Sequence, residues 1–119
     1  MHSTEDYFKL ASDFRESRST LIALGDENRL HMLYTMMTAA KPEGLRVGEI
    51  TAMTNLSRPA VSHHLRILKD AGIVNLRREG TRNFYYLDPD MKSFRLLISV
   101  LQRSVAYTAE LPYRGEMEV

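Results

Sequence analysis

Ser62, His63 and His64 stand in succession in the sequence, and a hydroxyl beside an imidazole is the first grouping here that could do chemistry. Neighbouring residues on a helix point about 100° apart, so this pair cannot meet as nucleophile and base. Nor can the two imidazoles close on one metal ion with good geometry. The other histidines are His2 and His31, and there is no cysteine. His31 reads as a partly buried helix residue. His64 is expected to pack on the following hairpin or cap a backbone group, and His63 to face outward. The chain has no glycine-rich phosphate loop, nucleophile elbow or paired carboxylates in a plausible cleft. The expectation is therefore neither an enzyme nor a metal protein, with no cofactor.

The second kind of chemistry is the recognition of an anion. Between Ser57 and Arg82 stand Arg58, Arg66, Lys69, Arg77, Arg78 and Arg82, against only Asp70 and Glu79, in a chain whose net charge is +1. A local excess of four positive charges on a near-neutral chain suggests a polyanion at one face. A guanidinium at Arg58 can give two hydrogen bonds to a guanine edge, and Ser62 and His63 can bond to bases or phosphates. Arg66 and Lys69, further along, suit phosphate oxygens. The plain alternative is a solvated basic surface, and charge alone does not exclude it.

Positioning these groups requires a helix over Ser57 to about Gly72. Ser57 suits the N-cap and Pro59 the first turn, where a missing N–H is no loss. Val61, Leu65 and Leu68 form its buried stripe, which turns Arg58, Ser62, His63, Arg66 and Lys69 outward. A short helix with Val47, Ile50 and Met53 at spacing three precedes it, and Asn55-Leu56 joins the two. Ile73–Arg78 and Asn83–Leu87 alternate as strands around Glu79-Gly80-Thr81-Arg82, a hairpin with a basic tip. Upstream, Ser3 and Asp6 can cap a helix from Thr4 to about Leu24, which Ser17–Thr20 could interrupt. Gly25 and Asp26 open the next helix, with Leu30, Leu33, Tyr34, Met36 and Met37 as its stripe. Asp88-Pro89-Asp90 precedes a last helix striped by Met91, Phe94, Leu97, Ile98, Leu101 and Val105. The expected class is mainly α with a small β-hairpin (α+β), in the order α-α-α-α-β-β-α. One domain over residues 1–109 is expected, with a flexible tail at 110–119. A helix pair followed by a basic hairpin is a winged helix-turn-helix, whose second helix enters the major groove while the wing reaches backbone or minor groove.

At these residues the sequence resembles the ArsR-type family of winged-helix repressors. The matching stretches are ALGDENRLHML and LRVGEITAMTNLSRPAVSHHLRILKDAGIVNLRREGTRNFYYL, within residues 22–107. The family pattern falls on Ser57, Val61, Ser62, His64, Leu65, Leu68, Ala71, Gly72, Ile73, Val74, Arg78, Gly80, Tyr86 and Leu87. Its last arginine is replaced by Thr81, with Arg82 beside it. The resemblance implies a homodimer built on the first and last helices, a palindromic operator in double-stranded DNA, and repression. It carries base reading to Arg58, Pro59, Ser62 and His63, where Pro59 can offer only apolar contact. The family's thiolate stretch, ELCVCDL, is GLRVGEI here, with Arg46 and Gly48 in place of the cysteines. The last-helix stretch has Asp88 and Asp90 but no histidine, so both family metal sites are expected to be absent.

Tyr7, Phe8 and Phe14 on the first helix, with Phe94, Ile98, Leu101 and Val105 on the last, exceed what one small core can cover, and a two-fold dimer would bury them. It would set two recognition helices about 34 Å apart, one duplex turn. The signal is left open. An apolar small-molecule effector could sit among Tyr7, Phe8, Phe14, Tyr34, Met36, Met37, Phe94 and Tyr107, unless these only fill core and interface. Control through protein level or a partner is the other reading. No apolar run approaches the roughly 20 residues of a membrane span. The start of the chain is polar and acidic, unlike a secretory signal, so the expected location is the cytoplasm.

Overall fold

A computed structural model describes residues 1–111; most of the expected flexible tail lies outside these residues. Helices α1 (Thr4–Glu16), α2 (Arg18–Leu24), α3 (Glu27–Ala39), α4 (Val47–Met53) and α5 (Arg58–Asp70) are followed by strands β1 (Val74–Glu79) and β2 (Arg82–Leu87) and by helix α6 (Lys92–Thr108). The class is the expected one, mainly α with a hairpin. The difference is one break, at Ser17. Its hydroxyl donates to the Asp13 carbonyl (3.1 Å), and its backbone N–H is shared between the carbonyls of Asp13 and Phe14. Such a bond does not of itself end a helix, since Ser104 makes the same one within α6; the regular geometry lapses at Ser17 itself (φ −80°, ψ 2°), and α2 begins at Arg18.

The caps follow their residue types. Ser3 and Asp6 close a reciprocal capping box at α1, and Asp26 accepts the Arg29 N–H at the start of α3 (3.0 Å). Ser57 caps α5 by accepting the Ala60 N–H (3.2 Å). The core comprises Met32, Leu33 and Met36 of α3, Leu45, Ile50 of α4, Val61, Leu65 and Leu68 of α5, and Ile73 and Val74 leading into the hairpin. The expected α3 stripe is rotated. Met32 is fully buried, Tyr34 and Met37 are exposed, and His31 is exposed rather than partly buried. The inward row is Arg29, Met32, Leu33 and Met36, because the Arg29 side chain turns inward to the end of α2 and sets the helix face with it.

The hairpin pairs Val74 with Leu87, Leu76 with Tyr85 and Arg78 with Asn83. Gly80 (φ 61°) opens its two-residue turn in a conformation that a Cβ disfavours. At its base Leu45 and Tyr85 exchange two backbone hydrogen bonds of 2.8 Å, so the loop before α4 joins β2 as an added edge. Gly44 (φ 98°) permits this, since a Cβ there would stand 2.9 Å from the Tyr85 carbonyl oxygen. The wing is thereby fixed relative to the helix pair.

α1 lies along α6. Asp13, buried between them, accepts from Arg103 Nη2 (2.8 Å) and Lys9 Nζ (3.0 Å). Those two cations hold its carboxyl below the usual range. The chain ends are also tied: the His2 ring stacks on Tyr107 and its Nδ1 meets Glu110 at 2.8 Å. No helix among the described residues is long and apolar enough to cross a membrane.

Candidate nucleic-acid interface

α4 and α5 pack at the angle that a four-residue link from Thr54 to Ser57 allows. The Thr54 hydroxyl is buried and donates to the Ile50 carbonyl (3.0 Å), which closes α4 without exposing a polar group. Val61, Leu65 and Leu68 are fully buried, as their spacing requires. The opposite face therefore points to solvent. Arg58, Pro59, Ser62, His63, Arg66 and Lys69 are all exposed, and among the described residues no carboxylate pairs with these cations. Ser62 and His63 sit one after the other, too far round the helix to act together.

The wing residues divide by strand alternation. Arg78 lies on the face that continues the core side of the hairpin, and its Nε donates to Asn83 Oδ1 (3.1 Å). Arg77 lies on the other face and is largely committed to the fold. Its Nη2 donates to the Glu43 carbonyl (2.8 Å), its Nη1 meets the Glu79 carboxylate, and its guanidinium lies 4.7 Å over the Phe84 ring. Thr81 and Arg82 at the tip are exposed. Arg58 and Thr81 line one polar cleft between α5 and the wing tip, so the helix start and the hairpin tip share one side of the molecule. Of the sequence-derived candidates, Arg77 is the one that the fold occupies elsewhere.

The hydrogen-bond partner of His64 is a side chain and not a backbone group. The ring turns toward α3, where Arg29 Nη1 stands 3.2 Å from its Nδ1. Arg29 can only donate, so Nδ1 accepts and the ring is neutral. Arg29 is the residue that sequence reasoning passed over. Its guanidinium is buried, with Nε donating to the Ala23 carbonyl (2.8 Å) and Nη2 to the Ile22 carbonyl (3.0 Å). It thus closes the carbonyl end of α2, where a cation is favoured, and holds the inner side of α5. The only sequence signal was an arginine inside an otherwise apolar helical row.

Burial pushes the His64 imidazolium down from its ordinary value of 6.5, with Arg29 and His63 adding to the shift and Asp26 opposing it. The unfolded chain then takes up this proton at a higher pH than the folded one. The His64 contribution to stability is present above about pH 6.5 and is lost as pH falls through the lower folded value. The displaced carboxylates, Asp6, Asp13, Asp26, Glu49 and Glu110, all move downward from 3.8 or 4.5, so their effect lies at more acid pH. Melting at pH 7.5 and 5.5 should show a lower Tm at pH 5.5. His64→Gln, whose amide oxygen can still accept from Arg29, should flatten that difference; an unchanged difference would place the linkage elsewhere.

The residues of the expected effector pocket are not gathered. Tyr7 and Phe14 line an apolar groove of about 690 Å³ with Leu10, Leu21 and Ile22. Met36 and Met37 line another cavity, about 310 Å³, at the base of the wing, and Tyr107 lies under His2. On the terminal helices Phe8 (71%), Ile98 (53%), Leu101 (48%) and Val105 (73%) are exposed, Tyr7 and Phe14 less so; Ile98, Leu101 and Val105, at helical spacing, share one face of α6. Phe94 departs from this face and packs partly buried against the core. Among the described residues no group of three or more His, Asp or Glu is placed to hold a metal ion. The cation of Arg46 and the bare Gly48, at the positions of the family's thiolates, do not fit one either.

Comparison with known proteins matches residues 26–75 to the model described as "Bacterial regulatory protein, arsR family"; this covers α3 to α5 and the start of β1. An uncharacterised HTH-type transcriptional regulator of Methanocaldococcus jannaschii is 41% identical over 86 residues, 72% of this chain and 85% of that protein. The biofilm growth-associated repressor of Agrobacterium fabrum is 35% identical over 83 residues, 69% of this chain and 70% of that protein. Among solved structures, a homodimeric winged helix-turn-helix DNA-binding domain from Mycobacterium bovis superposes with a TM-score of 0.56 over 94% of each chain at 21% identity. At that identity the likeness shows the fold.

Proposed function

The chain belongs to the arsR family of bacterial regulatory proteins, and from that premise we propose that it is a repressor that binds a palindromic operator as a homodimer and senses no metal. The observation that carries this reading is the outer face of α5. Arg58, Ser62, His63, Arg66 and Lys69 stand exposed there, beside the wing tip, with no carboxylate among the described residues to neutralise them.

In the bound state α5 lies in the major groove. Arg58 donates to a guanine edge, Pro59 makes apolar contact, and Ser62 and His63 bond to neighbouring bases. Arg66 and Lys69 contact phosphates on one flank, and Arg78, Thr81 and Arg82 contact the backbone on the other. Arg77 acts through the fold, holding the loop at Glu43 against the wing. The exposed face of α1 and α6 meets its copy around a two-fold axis, which places two α5 helices on two half-sites. Support for the dimer comes from that apolar face. Repression is carried over from the Agrobacterium relative, itself a repressor, and the lack of metal sensing rests on the unsuitable donor set.

The test is binding to a duplex selected from a random pool, measured by fluorescence anisotropy over a salt series. Affinity should fall steeply between low and moderate salt as bound phosphates release counterions. Arg58→Ala should cost about 1–3 kcal/mol on the selected site and much less on random duplex. Arg78→Ala should weaken both alike. Salt-independent binding, or both variants binding normally, would overturn the reading.

A further inference from the structure

The polar cleft between α4, the first turn of α5 and the wing tip encloses about 410 Å³. Its lining includes Arg46, Gly48, Glu49, Arg58, Thr81 and Asn83. We propose that this cleft seats one backbone phosphate of the bound duplex and that Arg46 is its principal cation. The proposal rests on the DNA-binding reading above and adds to it a residue outside the recognition helix and the wing.

The charge balance favours an anion. Glu49 is the one carboxylate of the lining, and both its oxygens are engaged: Oε1 accepts the Arg46 backbone N–H (3.0 Å) and Oε2 meets Lys41 Nζ (2.9 Å). These contacts hold its carboxyl below the usual range, so it remains an ion with its own partners. The guanidiniums of Arg46 and Arg58 have no carboxylate of their own among the described residues. Each carries five N–H donors and no acceptor. The neutral groups add to this. Thr81 brings a hydroxyl, and Asn83, whose Oδ1 already accepts from Arg78, has its NH₂ group left to donate. An oxyanion among donors from the Arg46 guanidinium, a hydroxyl and an amide, with the Arg58 cation at its border, is well satisfied.

Gly48 shapes the space. A Cβ there would lie 3.6 Å from Arg58 Nη1, an ordinary contact, so the guanidinium faces Gly48 with room for a methyl group but not for a long side chain, and walls the cleft. Arg58 borders both the cleft and the outer face of α5, which lets it read a base. Arg46 is the N-cap residue of α4 and lies outside the recognition helix, so its part is assigned to the backbone. It therefore supports affinity without selecting sequence.

The test uses the full chain, the selected duplex and a random duplex. Arg46→Ala should lower affinity for both by the same factor, about ten-fold at moderate salt. It should also make the log–log salt dependence shallower by about one. Gly48→Leu, which fills the cleft without changing charge, should weaken both duplexes in the same way. A scan with single neutral methylphosphonates supplies the position. Wild type should lose affinity at each contacted phosphate, and Arg46→Ala should lose nothing more at one of these in each half-site, the one that the cleft seats. If wild type binds duplex but Arg46→Ala leaves affinity and salt slope unchanged, the cleft proposal fails and the DNA reading stands. Binding of no duplex by wild type would remove the DNA reading itself. If inorganic phosphate binds wild type but not Arg46→Ala, and does so without displacing duplex relative to chloride at matched ionic strength, the cleft belongs to a free anion and this proposal is wrong.

Discussion

Replacing Arg29 with alanine should lower the unfolding free energy by roughly 3–5 kcal/mol, the usual cost of removing one partner from a buried charged network. The loss has three parts. The carbonyls of Ile22 and Ala23 lose their donors at the end of α2, and buried acceptors left unpaired cost about 1–3 kcal/mol each. His64 loses the donor at its Nδ1. The long side chain also leaves a void among α2, α3 and α5. Single domains carry only about 5–15 kcal/mol in total, so the variant should melt on the order of 10 °C or more below wild type. Arg29→Lys keeps the charge, but one ammonium cannot reproduce a fork that reaches two carbonyls and a ring, so it should fall between the two. Urea unfolding followed by circular dichroism decides this. A loss under 1 kcal/mol for the alanine variant would mean that water replaces the guanidinium at no cost.

Leu101→Glu should separate the subunits while leaving each fold intact. Leu101 is about half exposed on the single chain, so a carboxylate there is solvated when the chain is alone. Between two copies it would face Phe8, Ile98 and Val105 and their symmetry mates, and burying an unpaired carboxylate costs several kcal/mol. Light scattering should therefore change from twice 13.7 kDa to 13.7 kDa. Operator affinity should fall by a hundred-fold or more, because the two half-sites are no longer engaged by one linked particle. Retention of dimer mass would place the interface elsewhere.

What the sequence made legible followed the range of the interactions involved. The α5 stripe, the Ser57 cap and the hairpin turn at Gly80 depend on neighbours within a few residues, and each stands where its pattern placed it. The break at Ser17 is a lapse of backbone geometry at one residue (φ −80°, ψ 2°), a choice left open by local propensity. The rotation of α3 escaped pattern reading because an apolar stripe identifies a face by its hydrophobes. Here Arg29, a charged residue, opens the inward row, paired with carbonyls on another helix. Arg77 illustrates the same limit at the site. Its type and position suggested a free cation, yet the Glu43 carbonyl, 34 residues away in sequence, takes it. Arg46 was noticed only for the thiolate it replaces, since nothing in one dimension brings it to Thr81 and Asn83.

The most direct measurement is backbone and side-chain NMR of the full chain titrated with the selected duplex. The account predicts the largest shifts at Arg58, Ser62, His63 and Arg66 along α5 and at Arg78 to Arg82 around the wing tip, with the face formed by Phe8, Ile98 and Val105 unchanged. Shifts concentrated on that terminal-helix face, with α5 and the wing silent, would contradict it.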